Sequence, residues 1–178
     1  RMEKIRGFEI VTKYVDKNLS LPKRATKGSA GYDIAAAEDT VIPSIWNILS
    51  KNAGVKAMEK EEVVEENKHY LKSTLVPTGI KAYMPENEYL MLVNRSSNPL
   101  KHNLSLPNGV GIIDSDYYNN NGNEGEIFVQ LINYGLEDYT IEKGDRIAQG
   151  IFTPYYTADG ETGNLGSRIG GFGSSGKN

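Results

Sequence analysis

Residues 127–152 read IFVQLINYGLEDYTIEKGDRIAQGIF, and this stretch decides the fold class. Three apolar runs, 127–132, 139–141 and 146–152, are rich in β-branched and aromatic residues, and polar, turn-forming residues separate them. Gly144-Asp145 marks the second turn. Working outward, residues 8–15, 40–42 before Pro43, 79–83 between two prolines, 89–93 and 111–113 carry the same strand pattern. So many short strands, punctuated by 19 Gly, 7 Pro and many Asn, predict an all-β chain of sandwich, jelly-roll or barrel type.

One segment breaks this pattern. Residues 51–68 hold five Glu, four Lys and little Gly or Pro, which predicts a helix. Val55, Met58, Val63 and Val64 give it only a weak apolar stripe. It reads as a solvated helical excursion within an insertion over 44–73, the sharper alternative being a helix that binds a regulatory protein. The last nineteen residues, 160–178, contain seven glycines and cannot bury enough apolar surface to order cheaply, so a mobile tail is expected after a domain spanning 1–159. Yet Arg168 and Phe172 sit in that tail, and a pure linker needs neither a guanidinium nor a ring.

Composition narrows the function classes. A chain of 178 residues, 38% hydrophobic and 24% charged, suits one soluble domain. Its 20 basic and 23 acidic residues give a net charge of −3, without the cationic field that holds long nucleic acid. Cysteine is absent, which excludes thiol catalysis and thiolate zinc sites. No apolar run approaches the ~18 residues of a membrane span, so no membrane contact and a cytoplasmic location are expected. His69 and His102 lie 33 residues apart without ligand-like spacing.

Five short motifs carry chemistry. In the tail, Gly171-Phe172-Gly173-Ser174-Ser175-Gly176-Lys177 nearly matches two phosphate-loop patterns, but no strand–turn–helix unit surrounds it. Its glycine-rich backbone, with Arg168, Ser174 and Ser175, still offers many donors to an anion. Asp114, in Gly111-Ile112-Ile113-Asp114-Ser115-Asp116-Tyr117, ends an apolar strand, where partial desolvation suits a general base and an ordinary turn is the plainer reading. Arg95-Ser96-Ser97 follows another strand, where a planar guanidinium fork with two hydroxyls suits phosphate oxygens and a strand-end turn with a surface Arg is the plainer reading. In Lys143-Gly144-Asp145-Arg146-Ile147-Ala148-Gln149, Asp145 and Arg146 read as structural and Gln149 as a contact residue. Ala30-Gly31-Tyr32-Asp33-Ile34 closes a Gly/Ser loop on an acid.

Taken in order, these motifs closely resemble the trimeric dUTP diphosphatases, or dUTPases, from about Pro22 to Asn178. The resemblance implies a jelly-roll-like subunit of a homotrimer that hydrolyses dUTP to dUMP and pyrophosphate with Mg²⁺, limiting dUTP and supplying dUMP for dTMP synthesis. It implies that Asp114 activates the water that attacks the α-phosphorus, and that Tyr117 packs on the deoxyribose and leaves no room for a 2′-hydroxyl. Asn108 and the backbone through Gly111, Ile112 and Ile113 would read the uracil edge, with the returning strand near Phe128 opposite. Arg95, Ser96, Ser97 and Gln149 would hold phosphates. Arg168, Gly173, Ser174 and Ser175 would clamp them from the tail while Phe172 covers the base. Asp33 would meet the metal through water at most, since the triphosphate itself mainly holds Mg²⁺.

Three departures stand out. Asn94 precedes Arg95 where the family has Gly, and Ile169 replaces a small residue, stiffening the tail. Residues 118–123 lengthen the loop after Tyr117, either as a harmless bulge or as a modifier of entry to the site. The related alternative is a dCTP deaminase, and a regulatory nucleotide-binding module is the alternative from another class.

Overall fold

Buried and more exposed side chains alternate over residues 111–114 and 128–133 and at the centre of 88–94, the signature of strands with one buried face. The computed structural model describes residues 3–58, 71–161, 165, 166 and 168. Among them, in order, are β1 (Gly7–Ile10), β2 (Lys23–Arg24), β3 (Tyr32–Ala35), β4 (Thr40–Ile42), α1 (Ile45–Met58), β5 (Thr74–Pro77), β6 (Ile80–Tyr83) and β7 (Glu88–Asn94). Then come α2 (Ser97–His102), β8 (Leu104–Ser105), β9 (Gly111–Asp114), β10 (Phe128–Asn133), β11 (Tyr139–Ile141) and β12 (Arg146–Pro154). A five-stranded sheet runs β2-β3-β12-β7-β9 and a three-stranded one β5-β10-β8, with β1-β6 and β4-β11 as separate ribbons. Every pairing between these strands is antiparallel. This is the expected all-β, jelly-roll-like fold with a short helical element.

All four sheets feed one core. Ile34, Leu90, Leu92, Ile113, Ile147 and Ala148 reach it from the large sheet, and Val76, Leu104, Val129 and Leu131 from the three-stranded one. In β10, Val129, Leu131 and Asn133 point inward while Phe128, Gln130 and Ile132 are half-buried. Burying each large aliphatic side chain contributes about 1.5–3 kcal/mol, which offsets the ordering of so many short strands.

Three readings of local structure change. Residues 8–15 are not one strand: β1 stops at Ile10, and Thr12–Tyr14 form a 3-10 turn. The Glu124 carboxylate accepts from the Thr12 N–H and hydroxyl, and Tyr14 is buried in a small cluster with Val11 and Ala37, so tertiary partners override β propensity. The helix of the insertion begins at Ile45, six residues before the expected start. Ser44 sets that boundary: its hydroxyl accepts from the Trp46 N–H and donates to Gly135 O, and its own N–H donates to Asp138. Residues 59–68 of the expected helix lie outside the described residues. Finally, Ser97 opens a helix, α2, rather than a strand-end turn. Pro99 fits its first turn, and Asn103 closes it in the left-handed region at φ 56°.

Candidate active site

The outward face of the large sheet holds the predicted residues in rows set by register. Gln149 on β12 pairs with Asp33 on β3 and with Val93 on β7, forming one polar-edged row. The next row is apolar: Ile151 pairs with Met91, and Met91 with Ile112. At the far end Thr153 pairs with Tyr89, and Tyr89 with Asp114. Gly31 lies beside the first row because a Cβ there would come within 3.1 Å of the Gln149 Cβ.

Arg95 leaves β7 at the Asp33–Gln149 end. Its Nη1 donates to Arg146 O at 3.0 Å, and its Nε lies 3.5 Å from Asp33 Oδ1, buried and without a hydrogen-bond acceptor. Arg146 Nη1 meets the other Asp33 oxygen at 3.3 Å. Arg146, read as structural from its motif, thus shares Asp33 with Arg95. Ser96 is exposed and makes no cap bond with its hydroxyl, and Ser97 follows at the start of α2. Asn94 fastens this corner: its Oδ1 accepts from the Arg95 N–H and from Asn98 Nδ2, while its Nδ2 donates to Leu104 O. The side chain that departs from the family pattern thus holds the backbone that presents Arg95. A cavity of about 200 Å³ opens here, lined by Arg95, Ser97, His102, Tyr139 and Arg146 among others. His102 stacks near Tyr139, with ring centroids 4.8 Å apart, and spacing alone could not have found it.

Asp114 sits at the other end. The pleat that buries Ile113 turns Asp114 outward with Ile112, and half of its side-chain surface is exposed. One chain therefore does not bury this carboxylate; a second surface would have to do so. Arg168 Nη2 donates to Asp114 at 2.5 Å and its Nε to Asp116 at 2.8 Å, with the guanidinium 5.8 Å from the centre of the Tyr117 ring. Tyr117 is buried beneath, and that burial raises its phenol above the ordinary tyrosine range, keeping it neutral. Asn108 lies at an exposed turn, where Gly109 N–H donates to Leu106 O and Val110 N–H to Asn108 O, and Val110 and Ile112 are exposed beside it. Phe128 opens β10 opposite Pro77, in a different sheet from β9. Phe172, Gly173, Ser174 and Ser175 lie outside the described residues.

The two groups do not meet within one chain. Asp114 is level with Tyr89 and Arg95 lies six residues further along β7, which at ~3.3 Å per residue is about 20 Å. Among the described residues, no three His, Cys, Asp or Glu side chains cluster as a metal cage. Asp33 is shared between two guanidiniums, which balance its charge within the protein. No described helix is long and apolar enough to cross a membrane.

The dUTPase family model matches residues 50–176. The deoxyuridine 5′-triphosphate nucleotidohydrolase of Lactococcus lactis is 45% identical over 174 residues, covering 97% of this chain and 99% of that one. Its counterpart in Desulfitobacterium hafniense is 35% identical, with 90% of each chain covered. Among solved structures, the dUTPase of Streptococcus mutans superposes with a TM-score of 0.69 at 44% identity, over 86% of this chain and 99% of that one.

Proposed function

The chain belongs to the dUTPase family, and on that premise we propose that it hydrolyses dUTP to dUMP and pyrophosphate. Asp114 takes a proton from water as the water oxygen bonds to the α-phosphorus. The bond to the bridging oxygen breaks and pyrophosphate leaves with the electron pair. The Asn108 turn and the backbone from Gly111 to Ile113 read uracil, with Phe128 further round. Tyr117 supports the sugar. Arg95, Ser96, Ser97 and Gln149 bind the phosphates, and the tail from Arg168 through Phe172 and Ser175 closes over them, excluding water. Mg²⁺ on the phosphate oxygens would draw off negative charge, with Asp33 at most a water-mediated neighbour.

The observation that carries this reading is the meeting of Asp114, the tail residue Arg168 and the buried Tyr117 ring at one rim of the sheet. The roughly 20 Å to Arg95 supports a homotrimer in which the base of one copy faces the phosphate donors of another. The apolar row Ile151–Met91–Ile112 between the two polar groups suits such an interface. For a regulatory partner at the insertion, the described residues offer the exposed Trp46, Leu49 and Leu71.

The deciding experiment measures pyrophosphate release from dUTP, dCTP, dTTP and UTP in parallel with Mg²⁺. Release from dUTP alone is expected. Ammonia from dCTP would instead identify a deaminase, and no release from any nucleotide would overturn the hydrolase reading.

A further inference from the structure

The lengthened stretch Tyr118-Asn119-Asn120-Asn121-Gly122-Asn123 is built as a self-fastened loop behind Tyr117. Asn120 Nδ2 donates to Tyr117 O and to Asn123 Oδ1, both at 2.8 Å. Asn120 Oδ1 accepts from the N–H groups of Gly122 at 2.9 Å and Asn123 at 3.1 Å. Asn123 Oδ1 accepts from the Gly125 N–H at 3.1 Å. Gly125 has φ 88°, and a Cβ there would come within 2.7 Å of Tyr117 O, so the loop closes only on glycine. The buried Lys81 on β6 braces it from outside, donating to Asn119 Oδ1 at 2.6 Å and Glu124 Oε1 at 2.8 Å.

One bond in this web leads to the site. Asn123 Nδ2 donates to the Tyr117 hydroxyl at 2.7 Å, and that hydroxyl donates to Glu126 O at 2.8 Å. A hydroxyl with its only proton given and a lone pair engaged is committed to the protein, not to a ligand. Its use is mechanical: it pins the far edge of a ring whose near face would meet the sugar. A wall that rejects an extra hydroxyl by contact discriminates only as sharply as it resists tilting.

We infer that Asn123 is a positioning residue for Tyr117 and sets how strongly the site rejects ribose. This rests on the reading of Tyr117 as the deoxyribose wall. Asn123 touches only protein, so it acts through the ring and not on the reacting atoms.

The test compares inhibition of dUTP hydrolysis by dUMP and by UMP, which needs no turnover of a ribonucleotide. In the unmodified protein UMP is expected to inhibit far more weakly than dUMP. Equal inhibition there, or no hydrolysis of dUTP, would count against the functional reading itself. Asn123→Ser is too short to reach the Tyr117 hydroxyl, and it is expected to narrow the UMP/dUMP ratio about fivefold, the factor lost with one ordinary hydrogen bond. In a Tyr117→Phe background the same substitution is expected to narrow the ratio no further. A rise in both inhibition constants with their ratio unchanged, the mark of a merely structural role, would overturn the inference. So would an equal narrowing in the Phe background. Should Asn123→Ser fail to fold, Tyr117→Phe alone removes the same bond, and an unchanged ratio there also rejects it.

Discussion

Arg168 rests on the two acids of the motif that contains the proposed base. A triphosphate offers a guanidinium more charge than two half-exposed carboxylates, so substrate would draw Arg168 away and free the Asp114 lone pairs. Glu126, one turn of loop beyond Tyr117, is a different kind of acid. It is buried, accepts from the Gly79 N–H at 3.3 Å, and desolvation pushes its pKa above the usual carboxylate range. The folded state therefore keeps this proton after the unfolded chain has released it. The associated stability is complete below the unfolded pKa of about 4.3 and is lost as pH rises through the folded value. Glu126→Gln keeps the acceptor and removes the charge. It is expected to raise the thermal midpoint at pH 8 and leave it nearly unchanged at pH 4, as calorimetry at the two pH values would reveal.

At the scale of elements, strands with clean alternation were the most legible in the sequence, because packing agrees there with local preference. β7, β10 and β12 stand where the apolar runs place them. The misread elements are those decided by distant partners. Nothing near Thr12 announces that Glu124, 112 residues away, will turn the chain. Nothing near Ile45 announces the Asp138 contact that fixes the start of α1. α2 did leave signals, in Ser96, Pro99 and Asn103, but the preceding strand and the Arg-Ser-Ser pattern obscured them. Among site residues, Asp114, Arg95 and Gln149 could be named from motif order, whereas Asn98 and Asn123 could not, since an Asn in a loop is ordinary until its partners are known. The tail is an element whose described contact, Arg168 on the acid pair, is exposed and contributes little to stability. Ending the chain after Glu161 is expected to leave the melting temperature nearly unchanged. Pyrophosphate release should fall by about 100-fold or more, because donors to the phosphates are lost. A collapse in the melting temperature would make the tail structural instead.

For the whole molecule, the large sheet puts Asp114, the proposed base, and Gln149, a proposed phosphate contact, on one face but at opposite ends. If different copies complete each site, Asp114→Asn and Arg95→Ala chains should each be nearly inactive alone. Co-assembled in equal amounts, they should recover about a quarter of normal activity, the share of sites that draw both intact groups from different copies by random mixing. Pyrophosphate release before and after co-assembly checks this, and no recovery would put both groups of a site on one chain. The insertion, by contrast, is anchored on strands outside the five-stranded sheet. Ser44 bridges to Asn133 on β10, Trp46 Nε1 donates to Tyr134 O, and Ser44 and Asn47 share Asp138. These attachments lie on the edge of the three-stranded sheet and the β10–β11 turn, and they end at Asp138, next to the Tyr139 that lines the cavity beside Arg95. The insertion therefore hangs from polar contacts outside the five-stranded sheet, while the proposed base and phosphate donors stand on that sheet. A peptide tag or a foreign loop spliced into the insertion would load that anchorage and leave the pairings of the five-stranded sheet untouched, so it would press on the cavity wall at Tyr139 before it reached Asp114.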